Sequence, residues 1–270
     1  WFAEAQKLTG VYTNLTGDVL VSSGLIAYLG AFTALYRGEL ADEWVGLCAE
    51  KAIPNSGAFS LVRVLGDPVK MREWSLYALP NDTFSVENAI INDNTRRWPL
   101  FIDPQVQANK WLKNMEKVNE LRVLKFSNDK YLKLLEGAIS MGTPVLIENV
   151  GEEMDPAIEP RLQKQISVRG SQMTLKLGES VIDYNKDFRF YLATKLANPH
   201  YLPEVSTKVT LINFMITFEG LADQLLNIVV EKEDPESQAL KEQLTIEGVE
   251  NKNKLASIED EILATLKGTK

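Results

Sequence analysis

The sequence predicts an α/β fold, a largely parallel sheet sandwiched by helices, with N-terminal helices ahead of it and a projecting C-terminal helix behind. Two observations carry this. From Leu61 onward short apolar runs alternate with segments of helical periodicity, the pattern of β-α-β units. Residues 1–60 lack those runs and read as helical, and from Ile216 the texture changes again to an acidic tail with a helical stripe. Three segments follow: an N-terminal helical one at 1–60, a large α/β one at 61–216, and a C-terminal helical one at 217–270.

In the first segment Trp1, Ala5, Leu8, Val11, Tyr12 and Leu15 recur at spacings of three and four, and Thr16 or Asp18 is a plausible cap for the next helix. That helix contains the uncharged run "VLVSSGLIAYLGAFTALY", Val19 to Tyr36. Its 18 residues reach the lower limit for crossing a bilayer, but Ser22, Ser23, Gly24, Gly30, Thr33 and Tyr28 dilute it. A helix buried on most sides, with small residues admitting close neighbours, is expected instead of a membrane span.

In the second segment the expected strands are "SLYAL" (75–79), "PLFI" (99–102), "RVLKF" (122–126), "PVLIEN" (144–149), "FRFYLA" (188–193) and residues 209–215. Asp103-Pro104 places a cap and then a first-turn proline before "QVQANKWLKNMEK". "NDKYLKLLEGAIS" runs to a helix-ending Gly142, and "QMTLKLGESVIDYN" reads as a hairpin turning at Gly178. In the tail Leu240, Leu244, Leu255, Ile258, Ile262 and Leu266 fall near one helical stripe, with Gly248 and Asn251 interrupting it. A stripe this narrow suits a helix that projects and packs on one partner, or one that lies along the surface, rather than a core helix.

Composition narrows the function classes. Apolar residues make up 45% and charged residues 24%, ordinary values for a globular domain, and the net charge of -8 argues against a nucleic-acid partner held by basic patches. The tail alone holds 12 acidic and 6 basic residues. A single cysteine, Cys48, cannot form an internal disulfide, which points to a reducing compartment. Because the chain starts at Trp1 without an initiator methionine, it is expected to be cut from something longer.

The stretch "ALPNDTFS", Ala78 to Ser85, raises the question of a nucleotide site, since it keeps the length of the phosphate loop GxxxxGK followed by Ser or Thr. Ala78 stands at the first glycine, Thr83 at the second, Phe84 at the lysine and Ser85 at the magnesium-binding hydroxyl. Phe84 supplies neither charge nor donor, Thr83 is β-branched where glycine often takes positive φ, Pro80 removes an N–H, and Asp82 repels phosphate. A later strand of such ATPases ends in Asp-Glu, which places magnesium and activates water. Here the corresponding pair is Glu148-Asn149, and asparagine cannot take a proton from water. The frame is kept and the chemistry is expected to be absent, with no nucleotide or metal held by this segment. His200 and Cys48 read as structural residues, and the acidic residues Glu148, Glu152, Glu153 and Asp155 match no calcium-loop spacing.

The strings "NLTGDVLVSSGLIAYLGAFTALYR", "LGDPVKMREWSLYALPNDTFSVENAI", "RRWPLFIDPQVQANKWLKNME", "GTPVLIENVGEEMDP" and "KDFRFYLATKLANPHYLPEVSTKVTLINFMITFEGLADQLL" together resemble the fifth AAA+ module of axonemal dynein heavy chains. "DPQVQANKW" and "NPHYLPE" favour the axonemal branch over the cytoplasmic one. The resemblance implies a P-loop-like AAA+ fold in one of six ring modules, with ATP and magnesium handled mainly in the first and no productive nucleotide binding in the fifth. It implies neighbouring AAA+ modules as partners, the region from Trp1 to Leu15 as the re-entry of the stalk, and the tail as the outgoing helix of the buttress that braces the stalk. The returning helix of that buttress would lie beyond Lys270. Microtubules would be engaged only indirectly, in the axoneme of a cilium or flagellum, without nucleic acid or membrane as partner. The resemblance also sets Thr194 or Asn198 near a polar sensor position, and Lys208 near a residue that contacts the next module. A functional nucleotide-binding ATPase module is the alternative.

Overall fold

A computed structural model describes residues 2–154, 158, 166–169, 172–177 and 180–268. Helix α1 (Phe2–Gly24) widens to π-helical geometry over Leu25–Leu29, and α2 (Ala34–Glu50) follows. No break or cap falls at Thr16 or Asp18. Asp18 is instead buried, and its Oδ1 accepts from the backbone and hydroxyl of Ser56, which ties α1 to the loop after α2. The uncharged run is thus split between two helices, and no described helix is long and apolar enough to cross a membrane. Val21, Ser22, Leu25 and Leu29 face inward while Leu20, Tyr28, Leu35 and Tyr36 are exposed, so one side is buried rather than most sides. The small residues do admit close approach. A Cβ on Gly24 would press into the Trp44 ring, and one on Gly30 would run into the Leu211 carbonyl oxygen.

Three more helices precede the sheet: α3 (Leu61–Leu65), α4 (Pro68–Leu76) and α5 (Thr83–Asn94). The strand expected over 75–79 is therefore not formed. Asp67 accepts from Val69 N and Pro68 sits in the first turn, so the chain enters a helix before it reaches "SLYAL". The helix then closes on Ala78 at φ 66, with Ala78 N donating to Ser75 O and Leu79 N to Trp74 O, the paired bonds of a Schellman stop.

The remaining expected strands are β1 (Trp98–Ile102), β2 (Arg122–Lys125), β3 (Val145–Glu148), β7 (Phe190–Thr194) and β8 (Val209–Asn213). They form one parallel sheet in the order β2-β3-β7-β1-β8. Helix α6 (Gln107–Met115) follows β1, α7 (Tyr131–Met141) follows β2, and a one-turn helix α8 (Pro203–Ser206) precedes β8. Every residue of β1 and β7 is buried, as a parallel sheet covered on both faces requires. One face packs under α7 through Leu135, Ile139 and Phe188, and the other packs under α5 and α6 through Ile90, Trp111 and Leu112. At one edge Asn213 N donates to Gly30 O and its Nδ2 to Ala31 O, so the N-terminal segment covers β8. Gly142 ends α7 at φ 78.

A second, antiparallel sheet joins β4 (Ile166–Arg169), β5 (Gln172–Leu177) and β6 (Ser180–Asp183). The β5–β6 hairpin agrees with the sequence reading, its turning residue Gly178 lies outside the described residues, and β4 is an additional strand. At the C-terminus α9 (Phe218–Glu233) is capped by Thr217, whose Oγ1 accepts from Gly220 N, and α10 (Pro235–Gly268) follows. Neither Gly248 nor Asn251 interrupts α10. Glycine costs a helix about 1 kcal/mol without forbidding it, and at Gly248 the helix lies against Arg72 of α4.

Candidate nucleotide site

Ligands of open α/β sheets gather beyond the carboxyl ends of the central strands, where strand order reverses. In this sheet that point is the end of β1, between β7 and β8. A cleft of about 670 Å³ opens there, lined by Ala78 to Asp82, by Gln107 and Lys110 of α6, by Gln224 and Asn227 of α9, and by Thr245 of α10.

The stretch Ala78–Ser85 contributes to this cleft only in its first half and follows a helix. Ala78 lines the wall; Asp82 caps α5 by accepting from Ser85 N at 2.9 Å. Thr83 opens α5 and is exposed, while Phe84 and Ser85 turn inward and are buried. The Arg37 guanidinium lies 4.4 Å from the Phe84 ring centroid. Burial lowers the Arg37 pKa to about 10, offset by Glu87 nearby. Its Nε and Nη2 donate to the carbonyls of Leu29, Phe32 and Gly30, closing the π-helical turn.

The loop that does link a central strand to a helix is Asp103–Val106, which sequence reasoning treated only as a helix cap. Counting the phosphate-loop spacing from Asp103 sets Ala108 at the second glycine, Asn109 at the lysine and Lys110 at the hydroxyl position. Helix α6 opens at Gln107 and not at Pro104, because Val106 takes φ 64 and offsets the helix start. The Asp103 carboxylate is fully buried and faces that start. Its Oδ1 accepts from Gln107 N at 2.8 Å and its Oδ2 from Asn109 N at 3.0 Å. Burial raises its pKa above the ordinary carboxylate range, while the backbone N–H groups of Asn109, Gln107, Ala108 and Val106 pull it back down. The donors that would cradle a phosphate already hold a carboxylate from the same chain.

Positive φ in a β-branched residue is strained by about 1–2 kcal/mol. Val106→Gly should therefore raise stability by roughly 0.5–1 kcal/mol after glycine's greater unfolded-state freedom is subtracted. A urea midpoint equal to or below that of the native chain would contradict this.

At the end of β3 the Glu148 carboxylate, 14% exposed, pairs with Lys113 Nζ of α6 at 2.6 Å. Asn149 follows in the left-handed region, φ 56, and is exposed. Thr194, buried at the end of β7, accepts from Leu196 N through Oγ1 and from Asp103 N through its carbonyl. Thr194 therefore adjoins the crossover directly. Asn198 lies exposed in the following loop, and Lys208 is half-buried just before β8. His200 is exposed, with its backbone N–H on Glu152, whereas Cys48 is buried with Val21 and Ala41, so the two do not form one site. Among the described residues no three metal-ligating side chains converge; Asp155 lies outside them.

The family described as "ATP-binding dynein motor region" matches residues 72–270. The chain belongs to that dynein motor family. This dynein motor region is 53% identical to human dynein axonemal heavy chain 3 over 270 residues, all of the chain and 7% of the relative. It is 54% identical to the mouse heavy chain 3 over 266 residues, 98% of the chain and 6% of the relative. Against human dynein axonemal heavy chain 1 it is 50% identical over 266 residues, again 98% and 6%. The dynein motor region thus spans about 7% of the human heavy chain 3, and its five-stranded parallel sheet flanked by helices is that of an AAA+ module.

Proposed function

We propose that this chain is the fifth AAA+ module of an axonemal dynein heavy chain and that it neither binds nor hydrolyses ATP itself. The observation that carries the reading is the Asp103 carboxylate seated on the N–H groups at the start of α6. A triphosphate would have to displace it and would bring negative charge beside it. Three further features support the same reading. Asn109 lacks the cation of the phosphate loop, Glu148 is paired with Lys113, and Asn149 cannot serve as a base. The positions at Ala78, Thr83, Phe84 and Ser85 add nothing that grips phosphate. The family's name describes the motor region as a class, and this member's residues do not fit the ligand.

The module's work would be mechanical. It would transmit rigid-body movement between neighbouring AAA+ modules of the heavy chain and the stalk, with α10 as the outgoing buttress helix and microtubules reached only through the stalk. ATP and magnesium would act in other modules of the parent motor, in the axoneme of a cilium or flagellum. Thr194 would serve the crossover as a structural neighbour, and Asn198 and Lys208 would face adjoining modules.

Calorimetry with Mg-ATP tests the reading. The native chain should give no saturable heat, and micromolar binding that disappears in Lys110→Ala would overturn it in favour of a working nucleotide site.

A further inference from the structure

The crossover reaches past its own cleft. Gln105 Oε1 accepts from Ile216 N at 3.2 Å, at the point where the chain leaves the sheet for the C-terminal helices. Gln107 Nε2 donates to Gln224 Oε1, also at 3.2 Å, and Gln224 lies in the middle of α9. The same helix start is pressed against the far wall, since a Cβ on Gly220 would sit 3.3 Å from the Asp82 carboxylate. The Gln107–Gln224 bond spans the cleft and the Gln105–Ile216 bond holds the segment leading into the C-terminal helices, both made by the chain's own groups. We propose that Gln105 and Gln107 latch the C-terminal helices at a fixed angle to the sheet, so that this module holds by itself a closed arrangement that would otherwise need a ligand in the cleft.

The proposal rests on the reading that the cleft takes no nucleotide, and the two fail separately. Gln105 is exposed and Gln107 partly so, which makes their replacement compatible with folding. Spin labels at Lys133→Cys on α7 and Ser257→Cys on α10, both exposed, report the angle as a distance distribution; Cys48 is buried and stays unlabelled. In the native chain the distribution should be narrow. Gln107→Ala and Gln105→Ala should each broaden it, every lost hydrogen bond lowering the closed-to-open ratio by roughly two- to tenfold. Gln107→Glu alone should broaden it as well, and adding Gln224→Lys should narrow it again by replacing the amide bond with an ion pair.

Unchanged distributions in the two alanine variants, with melting temperatures near native, would overturn the latch. Failure of Gln224→Lys to rescue Gln107→Glu would also count against it. A native distribution that shifts on adding Mg-ATP would instead sink the nucleotide-free reading, while the variants continue to judge the latch.

Discussion

Replacing Asp103 by alanine should lower stability by about 2–4 kcal/mol, the sum of a lost helix cap and buried donors left without an acceptor. It should also create a response to phosphate that the native chain lacks. In the native chain the carboxylate fills the start of α6 and is wholly shielded from water. Removing it leaves aligned N–H groups at a helix N-terminus, an arrangement that attracts anions. Inorganic phosphate at millimolar concentration should therefore raise the melting temperature of Asp103→Ala and leave the native chain unmoved, with sodium chloride at matched ionic strength as control. Equal responses from the two proteins would show that the carboxylate does not occupy an anion site.

Trp111→Ala should be the most damaging single change, costing about 3–5 kcal/mol by the usual range for emptying a core aromatic site. Trp111 is fully buried on α6. Its ring meets Trp74 edge-on at 6.3 Å and stacks on Phe214 at 6.1 Å. It therefore joins α4, α6 and the segment after β8, three of the elements around the cleft. Trp111→Phe should cost much less than the alanine change, because the indole Nε1 has no hydrogen-bond partner among the described residues and its loss removes a buried unsatisfied donor. Chemical denaturation of both variants checks this; a phenylalanine variant as unstable as the alanine one would mean that the N–H has a partner.

Four of the sheet's strands, β1, β3, β7 and β8, were legible in the sequence because they are buried almost throughout and read as short apolar runs, whereas the edge strand β2 keeps Val123 and Lys125 exposed. "SLYAL" misled for the same reason. Five apolar-rich residues do not distinguish a strand from the last turn of a helix, and what decided it lay upstream, in Asp67 and Pro68. Read as a strand, this stretch places the phosphate-loop spacing at Ala78 instead of at Asp103. The rival alignment from Asp103 had the same spacing, but choosing it required knowing which strand lies in the middle of the sheet, which is a tertiary fact. Placing Glu148 needed no such knowledge, since it ends a strand that was read correctly. The carboxylate's position on the helix start was not readable at all. It depends on Val106 adopting a left-handed conformation that its side chain disfavours.

The unbroken course of α10 bears on how small displacements would be felt at a distance. At 1.5 Å per residue its 34 residues make a rod about 50 Å long. It rests against α4 near Arg72 and Gly248. The helix runs about 30 Å beyond Gly248, so a tilt of about 5° there would swing its last turn through roughly 2–3 Å, about half the rise of one helical turn. A small tilt at Gly248 is thereby magnified into a displacement of a few ångströms at Gly268.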